Sequence, residues 1–162
     1  MPLPHEAGPI RLPPKVVLYV TSGQRLLVIR EPAFPEAGLQ PPGGTIEPGE
    51  GVEAAAIREL EEETGLTAPA RQLVFLGTET LMLERDGKQC TLERHYVHIP
   101  VTGPHEERWT WWEATPSSGG PPILFELFWH PLDAPIDLGY GRDAFLHALR
   151  SRLKAPTGTT TE

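Results

Sequence analysis

The chain has 162 residues, with 22 acidic side chains against 14 basic ones, a net charge of −8 and a single cysteine, Cys90. That length suits one domain, and the acidic balance repels polyanions, so long nucleic acid is disfavoured as a partner. One cysteine excludes an intrachain disulfide, and no apolar run approaches the length of a membrane span, so the expected setting is cytoplasmic and away from membranes.

Residues 1–13 carry prolines at 2, 4, 9 and 13 and no apolar leader, and read as a flexible arm. KVVLYVT (15–21) and RLLVIRE (25–31) are apolar, β-branched runs split by Ser22-Gly23-Gln24, which predicts a hairpin. Proline breaks over 32–40 predict a loop. Residues 51–64 predict a helix, stopped by Gly65. A strand is expected over 73–83, a turn at Arg85-Asp86-Gly87-Lys88, and a returning strand over 91–101. WTWWEA (109–114) is short and aromatic, SSGGPP (117–122) is a loop, and ILFELFWHPL (123–132) has the character of a buried strand. Phe145, Leu146, Leu149 and Leu153 share one face of a final helix over 143–153. The tail 155–162 is polar and expected to be disordered. The domain proper is therefore 14–154, and strands flanking a central helix with a second helix at the end predict an α/β sandwich.

Seven glutamates fall between positions 47 and 63, with Arg58 as the only basic residue among them. A charge run is ordinarily a solvated helix face, yet carboxylates four apart repel by a few tenths of a kcal/mol per pair. Glu59 and Glu63 are such a pair, and the missing counter-charge points to an external divalent cation. On a helix, Val52, Ala56, Ile57 and Leu60 form the stripe expected to pack on the sheet. Glu59, Glu62 and Glu63 fall on the adjacent arc, with Arg58 and Glu61 away from it. Three carboxylates on one edge suit magnesium, a hard cation that takes oxygen ligands. Gly43-Gly44 is expected to form a tight turn that brings a carbonyl to the same edge.

The stretch Gly44, Glu50, Arg58-Glu59-Leu60, Glu62-Glu63, Gly65-Leu66 resembles the Nudix box, G-x5-E-x7-R-E-U-x-E-E-x-G-U, and fills all nine constrained positions over 23 residues. The resemblance implies a Nudix-type α/β/α sandwich with a mixed central sheet in a single domain. It implies a pyrophosphohydrolase that uses Mg2+ or Mn2+ to cleave a small nucleoside diphosphate derivative. Glu62, Glu63 and the Gly43 carbonyl are the implied metal ligands, and Glu59 is implied either to bind metal or to orient the attacking water. Arg58 is implied to brace the helix through a loop carboxylate, Glu50. In many members an aromatic stretch precedes the two glycines; here it is Leu39-Gln40-Pro41-Pro42. Substrate contacts made through that aromatic therefore do not transfer.

A later acid often completes such a site, and Glu106, Glu107 and Glu113 are the candidates, each with a plain solvent-facing alternative. Glu113 alternates with Trp109 and Trp111 along one strand face. Trp109 and Trp111 are either a base-stacking surface or packing residues. His95 and His98 point to opposite strand faces and suit ordinary hydrogen bonding rather than a paired metal site. Cys90 has only Lys88 as a nearby basic residue, too little for a reactive thiol. Two classes remain: a hydrolase, favoured by the intact box, or a non-catalytic Nudix-fold nucleotide sensor. A homodimer is left open, and the absence of a basic tract disfavours RNA 5′-ends as substrate.

Overall fold

The computed structural model describes residues 8–116 and 119–154. The first seven residues of the expected arm and the whole expected tail, 155–162, lie outside the described residues. Eight strands form one sheet: β1 (Ile10–Arg11), β2 (Lys15–Ser22), β3 (Arg25–Arg30), β4 (Gly43–Thr45), β5 (Val74–Arg85), β6 (Lys88–Pro100), β7 (Arg108–Glu113) and β8 (Ile123–Pro131). Two helices, α1 (Val52–Thr64) and α2 (Leu146–Lys154), complete the described residues together with three short 3-10 turns. The main path of the sheet is β1-β6-β2-β3-β8-β7, with β4 added on β2 and β5 on β6. β6 runs parallel to β1 and β2, and every other pairing is antiparallel, so the sheet is mixed.

Alternation along the strands divides the interior into two cores. Val16, Leu18 and Val20 of β2 join Leu27, Leu127 and the Ala55, Ala56 and Leu60 side of α1. Val17 and Tyr19 face the other way, with Leu26, Val28 and the Leu146 and Leu149 side of α2. The expected α/β/α sandwich around a mixed sheet is what forms. None of the helices described is long and apolar enough to cross a membrane.

Several local expectations are corrected. Ile10 and Arg11 are not free: they pair with Cys90 and Thr91, so the end of the expected arm is already in the sheet. α2 begins at Leu146 rather than at 143, since Gly139–Gly141 is a 3-10 turn and the chain is still turning at Asp143. On α1, Ile57 is only half-buried while Ala55 is fully buried, which rotates the packed stripe toward Ala55, Ala56 and Leu60.

The expected Gly-Gly turn is a strand. The β2–β3 ladder holds only two residue pairs, Thr21↔Leu26 and Ser22↔Arg25, before the strands part. The segment from Gln40 to Thr45 fills the opening: Gln40 bridges to Ile29, and Gly43–Thr45 pair with Val17–Lys15. Neither Gly43 nor Gly44 has positive φ. They are glycines because of close approach. A Cβ on Gly43 would land on the Val16 carbonyl oxygen, and one on Gly44 would land on the Glu59 carboxyl.

Candidate active site

α1 starts after Gly51, which is extended, and ends at Gly65, whose left-handed φ of 79° lets its N–H reach the Glu61 carbonyl. Between these stops the helix lays Glu59 against β4. Glu59 is 3% exposed, which is rare for a carboxylate. Glu63, one turn later, accepts a 3.3 Å hydrogen bond from the Gly43 N–H. Glu113, 8% exposed at the end of β7, arrives from 50 residues further along the chain, carried there by the β7–β8 ladder (Glu113↔Ile123). Carboxylate oxygens of Glu59, Glu63 and Glu113 lie within 4.8 Å of one another.

The electrostatics follow from that crowding. Burial pushes the Glu59 carboxyl up to about 7, against the pull of Arg58. Burial, then the charges of Glu113 and Glu59, raise Glu63 well above the usual carboxylate range. Burial and the neighbouring charge of Glu62 raise Glu113. Among the described residues, Arg58 alone makes an ion pair with a member of this trio, and it occupies one oxygen of Glu59.

Arg58 spends all its donors here. Its Nε and Nη2 grip Glu50 in a fork of two 2.8 Å bonds, Nη2 also reaches the Thr45 carbonyl at 2.9 Å, and Nη1 bonds Glu59 and Glu62 at 2.8 and 3.1 Å. Such a fork is strong and fixes orientation. It holds the Glu50 carboxyl down at about 2 and raises the Arg58 guanidinium further. Arg58 is thus not away from the carboxylate arc, as helical angles alone suggest; its long side chain reaches back across it. Glu62 is not in the close trio. Its carboxylate, 40% exposed, is paired with Arg58 on the flank of the helix.

The other expected acids separate cleanly. Glu107 is ion-paired to Arg25 at the opposite end of the sheet, and the Glu106 carbonyl accepts from Trp129 there. Of the three later acids, only Glu113 reaches the site. Trp109 and Trp111 donate their indole N–H groups to the Thr64 and Glu62 carbonyls, both at 2.9 Å. They satisfy the otherwise unpaired end of α1 and pin β7 to it. Neither borders the cleft that holds Lys15 and Glu63, but Trp111 borders a second pocket of about 710 Å³ together with Glu62 and Glu113, so the indole bonds account for packing and leave one face of Trp111 toward that pocket. His98 is buried between Thr21 and Arg152, and His95 bonds Thr78, away from the carboxylates.

The cleft itself holds about 540 Å³ and runs from Glu63 and Glu113 past Gly43 to Lys15, Arg94 and Arg142. Sequence reading missed these basic residues. They lie on β2, on β6 and after the Gly139–Gly141 turn, and nothing in the local sequence announces that they converge.

A family model described as NUDIX domain matches residues 11–149. The NAD-capped RNA hydrolase NudC of Stutzerimonas stutzeri is 41% identical over 56 residues, covering 35% of this chain and 20% of that protein. The chain thus spans about a fifth of the length of that curated relative. Among solved structures, the C. elegans Ap4A hydrolase superposes with a TM-score of 0.52 at 22% identity, covering 89% of this chain and 99% of that one. The E. coli dihydroneopterin triphosphate pyrophosphohydrolase gives 0.57 at 16% identity, covering 86% and 99%. These two likenesses establish the fold, and the family match, laid over an intact box whose carboxylates meet at one end of a cleft, makes this chain a member of the Nudix hydrolase family.

Proposed function

We propose that the chain is a divalent-cation-dependent pyrophosphohydrolase of small nucleotide-type compounds, cleaving a nucleoside diphosphate joined to another group. The observation that carries this reading is the trio of Glu59, Glu63 and Glu113 oxygens within 4.8 Å of one another, two of whose members, Glu63 and Glu113, line the cleft. Two buried carboxylates and one half-buried one share a single arginine, and each is held above its ordinary pKa by burial and by its neighbours, which is crowding that a cation would relieve. Their all-oxygen chemistry fits Mg2+ or Mn2+. Glu59, Glu63 and Glu113 would hold the ion, with Glu62 and the Gly43 carbonyl next to them. When bound, it supplies positive charge opposite the charge that builds on the diphosphate during cleavage.

The chain's own groups position the rest. The water oxygen joins one phosphorus, the bridging P–O bond breaks, and the bridging oxygen leaves with the other phosphate. The proton of the water passes to a carboxylate. Glu62 suits that role, because it flanks the trio without belonging to it, and Arg58 holds one of its oxygens and leaves the other free. Arg58 and Glu50 fix the helix so that these distances do not drift, and positioning accounts for most of the catalysis of phosphoryl transfer. The relative named for NAD-capped RNA and the neighbours named for Ap4A and dihydroneopterin triphosphate support a phosphoric-anhydride substrate. A cytoplasmic setting fits the free, buried Cys90.

The test is a panel of nucleotide sugars, dinucleoside polyphosphates, coenzymes and nucleoside triphosphates, incubated with Mg2+, with Mn2+ or with chelator. Mononucleotide release that requires the cation is expected for at least one class. Tight binding without turnover across the panel would instead make the protein a sensor.

A further inference from the structure

The cleft has a second, basic pole that the cleavage reaction as described does not use. Lys15, Arg85, Arg94 and Arg142 all line it, four of the 14 lysines and arginines in a chain of net charge −8. They come from four separate places: the start of β2, the end of β5, the middle of β6 and the turn after Gly141. Lys15 and Arg94 are direct partners in the parallel β2–β6 register, so they project from the same sheet face.

Little of this charge is neutralised within the protein. Arg94 has Glu79 at 3.6 Å and donates to the Tyr140 carbonyl at 2.7 Å. Lys15 donates to the Thr45 hydroxyl at 2.6 Å and Arg142 to the Gln40 side-chain oxygen at 3.0 Å, both neutral partners. Among the described residues, Lys15, Arg85 and Arg142 have no carboxylate within ion-pair distance. Burial first, then Arg142, lower Lys15, with Glu59 and Glu63 of the acidic trio pulling the other way; burial and then Arg94 lower Arg142, opposed by Glu63. The Arg142 guanidinium also lies 5.2 Å from the centre of the Tyr140 ring, which holds it in place at the cleft. Lys15 and Arg142 are half-buried, Arg94 is buried and Arg85 is exposed at the rim; cations so placed around one cleft, with donors to spare, form a ready receptor for an anion with several oxygens.

The acidic trio, once it holds a cation, accounts for the diphosphate that is cleaved. The basic pole requires a further anionic group on the same molecule. Resting on the hydrolase reading above, we propose that Lys15 and Arg142, with Arg85 and Arg94 beside them, bind an additional phosphate of the substrate. The preferred substrates are then nucleotides with phosphate charge beyond the scissile diphosphate, rather than diphosphates joined to a neutral sugar. That phosphate comes either from a longer chain, as in a nucleoside triphosphate or dinucleoside tetraphosphate, or from a separate ester such as a 3′-phosphate.

Two measurements test this. The first is steady-state kinetics with Mg2+ on a nucleoside diphosphate sugar, a nucleoside triphosphate, a dinucleoside tetraphosphate and a 3′-phosphorylated nucleoside diphosphate derivative. The parent should favour one of the phosphate-rich compounds, and which one identifies the source of the extra phosphate. Arg142→Gln and Lys15→Gln should each lower the kcat/KM ratio of that compound over the sugar about tenfold, the worth of a charged hydrogen bond. Arg142→Lys should recover part of it. Equal losses on all compounds, or a parent that prefers the neutral sugar, would overturn the proposal.

The second uses no turnover: calorimetric titration with inorganic tripolyphosphate in chelator. The parent should bind in a salt-sensitive way. Arg142→Gln and Lys15→Gln should each weaken binding about tenfold, while Arg25→Gln, at the far end of the sheet, should not. No binding by the parent, or the same loss in Arg25→Gln, would overturn the basic pole. If tripolyphosphate binds as expected while no compound is hydrolysed, the hydrolase reading fails and the anion site stands.

Discussion

The Glu59 carboxyl occupies the space where a side chain on Gly44 would begin. Helix and strand are interlocked at this point: one residue is absent down to its Cβ so that another can be buried beside the backbone. Gly43, its neighbour, is hemmed in by the Val16 backbone instead. The two glycines should therefore fail differently. Gly44→Ala displaces a functional side chain and should cut hydrolysis on the order of a hundredfold, as small misplacements do, with little loss of stability. Gly43→Ala meets backbone that cannot rotate away and should cost about 1–3 kcal/mol of overpacking. Parallel melts and rate measurements decide it; equal effects on both properties would mean the carboxylate has room to move.

Glu59 also carries a pH signature. Its folded pKa of about 7 lies above the ordinary 4.5. The folded state therefore binds the proton more tightly than the unfolded state does. The associated stability is present below about pH 4.5 and is lost as pH rises through about 7. Glu59→Gln removes the titration while keeping an oxygen for Arg58. In chelator, its melting temperature should equal the parent's near pH 4.5 and exceed it by a few degrees at pH 8. His98, lowered to about 4 by burial, titrates in the opposite sense but cancels in the comparison. Adding Mg2+ at pH 8 should raise the parent more than the variant.

Glu62 and Glu61 are adjacent and chemically identical, but only Glu62 turns toward Arg58 and the trio. Glu62→Gln should lower cation-dependent hydrolysis by orders of magnitude, and its metal-free fold should be no less stable. Glu61→Gln, exposed and unpaired among the described residues, should leave the rate nearly unchanged. Equal damage from both would show that the flank position of Glu62 is not what matters.

How far the sequence alone reaches can be read from these residues. The box, its glycine stop and the two-sided strands were legible because they are local patterns with a fixed period. Ile57 was misplaced because helical angles do not say where the sheet edge falls. The late acid was not legible: Glu106, Glu107 and Glu113 differ only in where β7 carries them. Six residues of strand span about 20 Å, enough to move a carboxylate from one end of the sheet to the other. The basic pole was invisible for the same reason, since the register of β2 on β6 is a long-range fact.

Trp111 illustrates a second limit. An aromatic cluster suggests stacking, but the Trp111 ring lies where a Cβ on Gly65 would sit, and its N–H caps Glu62. Trp111→Ala should therefore cost about 1–3 kcal/mol of stability and lower kcat by loosening β7, with KM changing less. A KM effect alone, with an unchanged melt, would restore the stacking reading.

RNA gives a simple discriminant, since one relative is named for capped RNA. With a net charge of −8, unstructured RNA should bind weakly at physiological salt. Tight binding with a steep salt dependence would contradict this.

Glu113 sits on the edge strand of the sheet, held by β8 on one side and by two indoles beneath. Edge strands are the first parts of a sheet to open. In the proposed cation site every opening of β7 would withdraw one of three ligands, so a bound cation would oppose that opening by mass action. Amide exchange over Arg108–Glu113 should accordingly slow on adding Mg2+, and much more than over β2. The ion would act as a clasp on the margin of the fold, coupling the integrity of that margin to the cell's supply of divalent cations.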